Sequence, residues 1–225
     1  MPKKIIIAID GPAGSGKSST AKLAAEKLNF TYIDTGAMYR IATLIAIEEN
    51  LLGNQLQLLE KLKSTDFDIR VINGKVSVTL EGRDVTSRIR EFDVNENVSQ
   101  ISKIPELREM LVELQRKLGA SGNVVMEGRD IGSVVFPNAD LKFFFTASIE
   151  ERAKRRIDEL ATKGIEYDFE EIKRNIIERD KIDALRDVSP LIKAPDAIEI
   201  DNSGMTLNDQ VKLVVDKALE IIENE

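Results

Sequence analysis

The chain opens with an unbroken apolar run that a glycine closes. The run from Ile5 to Ile9 is β-branched at four of its five positions, which is typical of a strand buried on both faces of a parallel sheet. Helix-forming residues follow from Ser18 to Leu28, and Tyr32-Ile33 indicates a second short strand. A strand, a loop, a helix and a strand in this order predict a βαβ unit.

The next segment departs from this alternation of strands and helices. A turn is predicted at Asp34-Thr35-Gly36 and an amphipathic helix from Met38 to Glu49. From Asp66 to Glu81, apolar and polar residues alternate on either side of Asn73-Gly74, which predicts an antiparallel hairpin. Because a hairpin interrupts the βα alternation, we interpret it as part of an inserted subdomain.

The rest of the chain returns to helices and strands. Helices are predicted between Ser87 and Ile101, from Pro105 to Gly119, after the capping residue Ser148, from Asp168 toward Ile182 and from Thr206. Strands are predicted at Asn123 to Met126, at Leu141 to Thr146 and at Ala197 to Ile200. The pattern predicts one α/β domain over residues 1–225, with a mostly parallel sheet flanked by helices.

Composition narrows the chemistry that this domain can perform. The chain has no cysteine and no histidine, which excludes disulfides, thiolate nucleophiles, a histidine general base and zinc sites built from these residues. Catalysis must then use carboxylates, lysine, arginine, hydroxyls and oxygen-ligated cations. A net charge of −7 argues against a broad nucleic acid or lipid surface, and no apolar run reaches the roughly 18 residues of a membrane span. We therefore expect a cytoplasmic protein that binds no nucleic acid polymer and no membrane.

One loop carries a phosphate-binding motif of the form G-x-x-x-x-G-K-[ST], placed between the first strand and the first helix. Its residues are Gly11, Pro12, Ala13, Gly14, Ser15, Gly16, Lys17 and Ser18, with Ser19 next. Glycines let such a loop turn its backbone N–H groups inward, and the helix N-terminus adds positive potential. Lys17 is expected to reach the terminal phosphates of a nucleoside triphosphate and Ser18 to ligate Mg²⁺. The motif predicts a P-loop NTPase fold.

The P-loop does not identify the reaction, so other residues must. The sequence has no Asn-Lys-x-Asp for reading guanine and no Leu-Ser-Gly-Gly signature of an ABC-type ATPase. It does carry arginines at the starts of loops and helices: Arg40, Arg108, Arg129, Arg152, Arg155, Arg156, Arg179 and Arg186. Such a set suits phosphoryl transfer between two polyanions, which requires neutralising charge on the donor, the acceptor and the moving group.

Two groups of these arginines have a second interpretation. Arg152, Arg155 and Arg156 lie in the first turns of a predicted helix. They form either part of a lid over the phosphates or a solvated helix face paired with neighbouring glutamates. The second group is the run from Arg179 through Asp183 to Arg186, whose spacing puts all three on one helical face, and a surface ion-pair ladder explains that spacing equally well.

Arg129 and Asp130 follow the third predicted strand. The carboxyl end of a parallel strand is where open α/β folds bind ligands, so this pair is a candidate for contact with the second substrate. Aspartate is also common in turns, which is the alternative interpretation of Asp130.

Together these pieces resemble the bacterial cytidylate kinases, a family of P-loop nucleoside monophosphate kinases, over essentially the whole chain. The resemblance rests on the segments from Ile9 to Ser18, from Tyr32 to Arg40, from Gly128 to Gly132 with Val134 to Pro137, and from Arg179-Asp180 to Ser189-Pro190-Leu191. The inserted hairpin matches as well, since the family enlarges its monophosphate-binding region there. The resemblance implies a core of residues 1–34, 117–147 and 188–225, a CMP-binding arm over 35–116 and a helical lid over 148–187.

The resemblance also implies roles for individual residues. The readers of the cytosine edge are expected to be Thr35, Arg108 and Asp130. The monophosphate clamp is expected to be Arg40 and Arg129, and the pentose contacts Ser99, Arg179 and Asp183, with Arg186 at the base or the phosphate. The residues expected to stabilise charge on the transferred group are Lys17, Arg129, Arg152 and Arg156. Thr35 replaces a serine often found in the family and keeps its hydroxyl.

The implied reaction converts ATP and CMP or dCMP to ADP and CDP or dCDP, with Mg²⁺ as cofactor and the chain as a monomer. Cytosine donates at N4 and accepts at N3 and O2, so an aspartate facing N4 and an arginine facing N3 and O2 are complementary to it. Uracil reverses two of these groups, at a cost of roughly 1–3 kcal/mol. We expect a preference for CMP and dCMP over UMP.

Two alternatives stay open on the residues alone. One is a P-loop kinase with a different acceptor, such as a sugar acid. The other is a regulatory module that binds ATP without transferring phosphate, which would leave the second arginine cluster unexplained.

Overall fold

The computed structural model describes residues 4–72, 75–162 and 167–223, so the predicted turn at Asn73-Gly74 lies outside the described residues. The helices are α1 (Lys17–Leu28), α2 (Thr35–Glu48), α3 (Gln55–Ser64), α4 (Phe92–Ile101), α5 (Pro105–Gly119), α6 (Ile149–Ala161), α7 (Phe169–Leu185) and α8 (Leu207–Glu223). The strands are β1 (Ile6–Asp10), β2 (Thr31–Asp34), β3 (Phe67–Ile72), β4 (Lys75–Leu80), β5 (Arg83–Asp84), β6 (Val124–Gly128), β7 (Leu141–Thr146) and β8 (Ile198–Asp201). A 3₁₀ turn covers Arg88–Arg90, and a π-helical turn covers Ile131–Val135.

A five-stranded sheet has the order β2-β6-β1-β7-β8. β1 pairs in parallel with β6 and β7, and β7 pairs in parallel with β8, which confirms the predicted mostly parallel sheet. Asp10 at the end of β1 lies in register with Gly128 of β6 and Phe144 of β7. The loops that follow these three strands therefore start at one edge of the sheet, which is the edge where open α/β folds bind ligands.

The chain divides into two compact units. The first comprises residues up to Tyr32 together with those from Ser121 onward, and the second comprises residues 33–120. In the first unit, α1 packs on α8, and α6 packs on α7 through a cluster that includes Ala153, Leu160 and Ile176. The finer division into core, arm and lid stays a prediction.

The second unit is built around α2, whose apolar side chains Ile41, Leu44 and Ile45 are buried. α3 and α4 pack against this helix. β3 and β4 form an antiparallel pair with Phe67 opposite Leu80, which confirms the predicted hairpin. The two-residue strand β5 extends the pair to three strands. Over the ranges given above, no helix is both long and apolar enough to cross a membrane.

Several predicted boundaries are confirmed, among them α5, β7 and the cap at Ser148, whose Oγ accepts from the backbone N–H of Glu151 at 3.2 Å. The predicted turn over Asp34-Thr35-Gly36 is wrong. α2 begins at Thr35, because the Asp34 side chain accepts from the N–H of Ala37 at 3.0 Å and caps the helix.

Other elements also differ from the prediction. α7 ends at Leu185, and Arg186 has extended backbone with φ −67° and ψ 143°. The prediction that Arg186 shares a helical face with Arg179 and Asp183 is therefore wrong. β6 continues to Gly128 rather than ending at Met126, and neither α3 nor β5 was predicted.

Candidate active site

The phosphate-binding motif forms the connection between β1 and α1. A Cβ on Gly11 would overlap the backbone carbonyl oxygen of Phe145, so only glycine fits this path. Gly16 has a φ of 84° and directly precedes Lys17, the first residue of α1. The first N–H groups of a helix lack intrahelical acceptors, so the start of α1 is suited to binding an anion. Ser18-Ser19 is exposed in this first turn.

The side chain of Lys17 is buried beside the motif. Its Nζ donates to the carbonyl oxygen of Pro12 at 3.1 Å and lies 3.8 Å from Glu127 Oε2. Glu127 is also buried, and its Oε1 accepts from the Tyr32 hydroxyl at 3.0 Å. This carboxylate therefore lies within reach of the lysine's charge. Glu127 was not predicted from the sequence, although an acidic residue near the end of a buried strand was the available signal.

Arg152 lies against the phosphate-binding loop. Its Nη1 donates to the carbonyl oxygen of Ala13 and its Nε to that of Ala147, both at 3.1 Å. Its Nη2 is 2.6 Å from Asp180 Oδ2 on α7. Only 5% of the Arg152 side chain is exposed, so this residue is not part of a solvated helix face. It connects α6, α7 and the loop.

The two neighbouring arginines on α6 lie in different surroundings. Arg155 donates from Nη1 to Asn202 Oδ1 at 3.1 Å and from Nη2 to the Asn202 carbonyl at 2.9 Å, and it pairs with Glu151 at 3.1 Å. Arg156 pairs with Glu159 at 2.7 Å, and 30% of its side chain is exposed. For Arg156 the structure agrees with the second interpretation of these arginines, a solvated helix face paired with a neighbouring glutamate.

Asn202 is fully buried beneath the loop. Its Nδ2 donates to the carbonyl oxygen of Ser15 at 2.6 Å and to Gln210 Oε1 at 3.0 Å. Gln210 Oε1 also accepts from the Thr20 hydroxyl at 2.9 Å. We call Thr20, Asn202 and Gln210 the P-loop cradle. The P-loop cradle was not predicted from the sequence, because Asn202 and Ser15 are 187 positions apart.

A charged cluster follows β6. Arg129 Nε donates to Asp183 Oδ2 at 2.8 Å, and Arg186 Nη1 lies 3.7 Å from Asp183 Oδ1. Burial opposes the charge on Arg129, but Asp183 raises the pKa of this guanidinium above its ordinary value. Burial likewise favours the neutral form of Asp183, but the charges of Arg129, Arg186 and Arg179 hold the pKa of this carboxyl below its ordinary range. The cluster is therefore charged near neutral pH.

Asp130 is buried directly before the π-helical turn, and its carbonyl oxygen accepts from the N–H of Val134 at 2.8 Å. Asp10 lies close by. Its Oδ1 accepts from the N–H of Ile131 at 2.8 Å and its Oδ2 from that of Gly132 at 2.7 Å. Burial raises the pKa of Asp10 from 3.8 to about 7, although both amide hydrogen bonds act against this rise.

The second unit holds a separate group of predicted site residues on α4 and α5. Arg108 is 1% exposed, donates from Nη1 to the carbonyl oxygen of Ser102 at 3.1 Å, and lies 5.1 Å above the ring of Tyr39. Ser99 is also buried, and its carbonyl oxygen accepts from the Ser102 hydroxyl at 2.9 Å. A buried arginine needs such partners, since its charge is costly to desolvate.

The first turns of α2 carry the other predicted residues of this unit. Thr35 is buried, and Arg40 Nε lies 3.5 Å from Asn95 Oδ1. Asp34, beside Thr35, pairs with Arg90 at 2.9 Å. Arg90 was not predicted from the sequence. Each unit therefore holds its own part of the predicted CMP-binding set.

The oxygen donors of the loop fit a cation that arrives with its nucleotide. Mg²⁺ prefers oxygen ligands, and at nucleotide sites it takes most of them from phosphates and water. The Ser18 hydroxyl is such a donor. Within the described ranges of the chain, no group of three or more acidic residues is placed to hold a metal ion.

Comparison with known proteins identifies relatives along nearly the whole chain. A family model described as cytidylate kinase matches residues 7–224. The chain is 50% identical over 217 residues to a cytidylate kinase of Carboxydothermus hydrogenoformans, covering 96% of both chains. It is 46% identical over 226 residues to a cytidylate kinase of Bacillus subtilis, covering 100% of this chain and 99% of the relative. A shikimate kinase of Bacteroides thetaiotaomicron shares the fold at 13% identity, with a TM-score of 0.51 over 98% of this chain and 99% of that one.

Proposed function

Because the chain belongs to the cytidylate kinase family, we propose that the loop after β1 holds the phosphoryl donor and that the arginine clusters hold the acceptor. The protein phosphorylates CMP and dCMP with ATP. The observation that carries the assignment of the donor site is the buried Lys17 at the start of α1, beside Glu127. The earlier alternatives, another acceptor or a module that transfers no phosphate, are set aside by the family.

The donor site consists of the P-loop residues Gly11 to Ser19. Ser15 Oγ is buried and has no hydrogen-bond partner among the described residues, which suits a hydroxyl that bonds to a ligand. Lys17 supplies positive charge for the terminal phosphates. Ser18 would hold Mg²⁺, which supplies charge neutralisation between the phosphates when it is bound with ATP.

Arg129 and Arg152 are proposed to stabilise charge on the transferred group, together with Arg156. Arg152 already contacts the loop through Ala13. Arg156 is paired with Glu159 and partly exposed, and such surface pairs contribute at most about 1 kcal/mol. Releasing Arg156 toward a phosphate therefore costs little. No strong base is required, because the acceptor phosphate is itself an anionic nucleophile.

The acceptor residues are proposed by unit. In the second unit, Thr35 and Arg108 face the cytosine, Arg40 binds the phosphate and Ser99 contacts the pentose. In the first unit, Asp130 reads the N4 amino group and Arg129 binds the phosphate. The remaining members of the set, at the pentose and at the base or the phosphate, are Arg179, Asp183 and Arg186. The charged state of the Arg129 cluster supports this assignment, because 20% of the Arg129 side chain is exposed and a phosphate monoanion or dianion can exchange for its carboxylate partner.

A coupled assay of ADP release tests the substrate preference. We expect turnover with CMP and dCMP, and a kcat/KM for UMP that is lower by about tenfold to a hundredfold, because uracil leaves buried polar groups unpaired. Equal kcat/KM values for CMP and UMP would contradict the proposed reading of cytosine. Light scattering of the purified chain should give the 25.1 kDa mass of the monomer that we propose.

Variants test the assignment of residues. Arg108→Met should raise the KM for CMP by at least tenfold and leave the KM for ATP within about twofold, because a charged hydrogen bond contributes roughly 1.5–3 kcal/mol. Arg116→Met is the matched control, since Arg116 lies on the same helix and is exposed. If both variants change the KM for CMP equally, Arg108 has no specific role at the cytosine.

A further inference from the structure

We infer that Asp10 is a positioning residue for the acceptor side of the reaction, because its buried carboxylate fixes the backbone that follows Arg129 and Asp130. The inference rests on the proposed binding of CMP by that pair. The sequence alone assigns no role to Asp10, which directly follows the apolar run. The structure places its two oxygens on two consecutive backbone N–H groups, those of Ile131 and Gly132.

The anchor itself is rigid. Asp10 is the last residue of β1, whose backbone is paired with β6 on one side and β7 on the other. A side chain of only one methylene joins its carboxylate to this double-paired backbone, so the carboxylate moves little relative to the sheet. The P-loop begins at the next residue, Gly11. The P-loop and the segment after Asp130 are therefore both attached to the end of β1, one through the chain and the other through the Asp10 carboxylate.

The held segment is also the one that needs an anchor. Arg129 and Asp130 lie between β6 and the π-helical turn, outside any ladder of strand hydrogen bonds. A Cβ on Gly132 would lie 3.4 Å from Asp10 Oδ2 and 3.1 Å from Lys142 Cδ, so the turn packs closely onto the carboxylate. With both amides fixed, the peptide plane that joins Asp130 to Ile131 is held, and the position of the Asp130 Cα is held with it.

A carboxylate is a costly choice for a structural support. Asp10 is 4% exposed, and burial together with the neighbouring charge of Asp130 disfavours its ionised form, with Lys17 acting in the opposite sense. A neutral acceptor would be cheaper to bury. A neutral amide, however, presents one N–H₂ group where two acceptors are needed. The geometry therefore indicates that an aspartate at position 10 serves to orient the backbone after Asp130 rather than to stabilise the fold.

Asp10→Asn in the full-length protein tests this inference. The substitution keeps the volume but turns one acceptor into a donor that faces a backbone N–H. We expect the dissociation constant of CMP to rise by about tenfold to a hundredfold and that of ADP to change by less than threefold, measured separately by calorimetry. An equal loss for both nucleotides, or no loss for CMP, would overturn the inference.

Asp140→Asn is the matched control, because Asp140 Oδ2 accepts from the N–H of Ile6 near the opposite end of the same strand, at 2.8 Å. It should leave both dissociation constants unchanged, and a loss of CMP binding equal to that of Asp10→Asn would refute a specific role for Asp10. Should Asp10→Asn fail to fold, Gly132→Ala tests the same contact from the other side. It should weaken CMP binding selectively, and unaltered CMP binding would count against the inference.

Arg129→Lys and Asp130→Asn separate this inference from the proposed function. If neither variant weakens CMP binding, the pair does not bind CMP, and both the assignment and the inference fail. If both variants weaken it while Asp10→Asn does not, the assignment stands and the positioning role alone is wrong.

Discussion

The stability of the protein should depend on pH through Asp10, and the perturbation that isolates this dependence is Asp10→Asn. The pKa of Asp10 is raised from 3.8 to about 7 in the folded protein, chiefly by burial. A raised pKa means that the folded state binds the proton more tightly than the unfolded state does. The stability contributed by the protonated form is therefore fully present below pH 3.8 and is lost as pH rises toward 7.

The size of the effect follows from the shift. A difference of about three pKa units corresponds to about 4 kcal/mol over the whole window, and about 3 kcal/mol of it falls between pH 5 and pH 8. The asparagine side chain cannot ionise, so the variant does not lose this stability as pH rises. Its free energy of unfolding relative to the wild-type protein should therefore rise by about 3 kcal/mol from pH 5 to pH 8 and level off above that.

Urea denaturation at half-unit pH steps measures this difference. Asp201→Asn is the control, because hydrogen bonds from Ser203 lower the pKa of the exposed Asp201 carboxyl. The Asp201 carboxyl is then ionised from pH 5 upward in both the folded and the unfolded protein. The free energy of unfolding of Asp201→Asn should therefore differ from that of the wild-type protein by a constant amount in this range. A constant difference for Asp10→Asn as well would refute the reasoning, since the carboxylate would then carry no burial cost.

Three further predictions concern the proposed donor site. Asn202→Ala should raise the KM for ATP more than that for CMP and lower the free energy of unfolding by about 1–3 kcal/mol, because it leaves buried polar groups unpaired; kinetics and urea denaturation check this. Gly11→Ala should abolish binding of ADP in calorimetry, because its Cβ would overlap the Phe145 carbonyl. Glu127→Gln should lower kcat for CMP phosphorylation at saturating substrates by at least tenfold, because Lys17 loses the carboxylate 3.8 Å away that holds its ammonium in place. An unchanged kcat would mean that Glu127 does not hold the lysine.

Features governed by neighbouring residues were predictable from the sequence. The β-branched run before a glycine-rich loop identified β1, the P-loop and α1 together, and Pro105 and Gly119 marked both ends of α5. Such signals act within one turn or one strand. The start of α2 was not predicted, because aspartate is common both in turns and at helix N-caps and the residues around Asp34 do not distinguish the two.

Features governed by distant residues were not predictable. Nothing near Arg152 indicates that it will be buried against Ala13, which is 139 positions away. Asp10 ends an apolar run, and no local pattern distinguishes an exposed carboxylate there from one held by amides 121 and 122 positions later. These roles depend on which strands become neighbours in the sheet.

The P-loop cradle has a consequence for how this protein can be divided. Gln210, on the C-terminal helix α8, accepts hydrogen bonds from Thr20 in α1 and from Asn202 directly under the loop. The nucleotide motif near the amino end is thus completed by the last element of the chain. A fragment that stops before α8 would keep every residue of the motif but lose the acceptor that Gln210 offers to Thr20 and Asn202, so we expect the motif to need this distant helix wherever it is used.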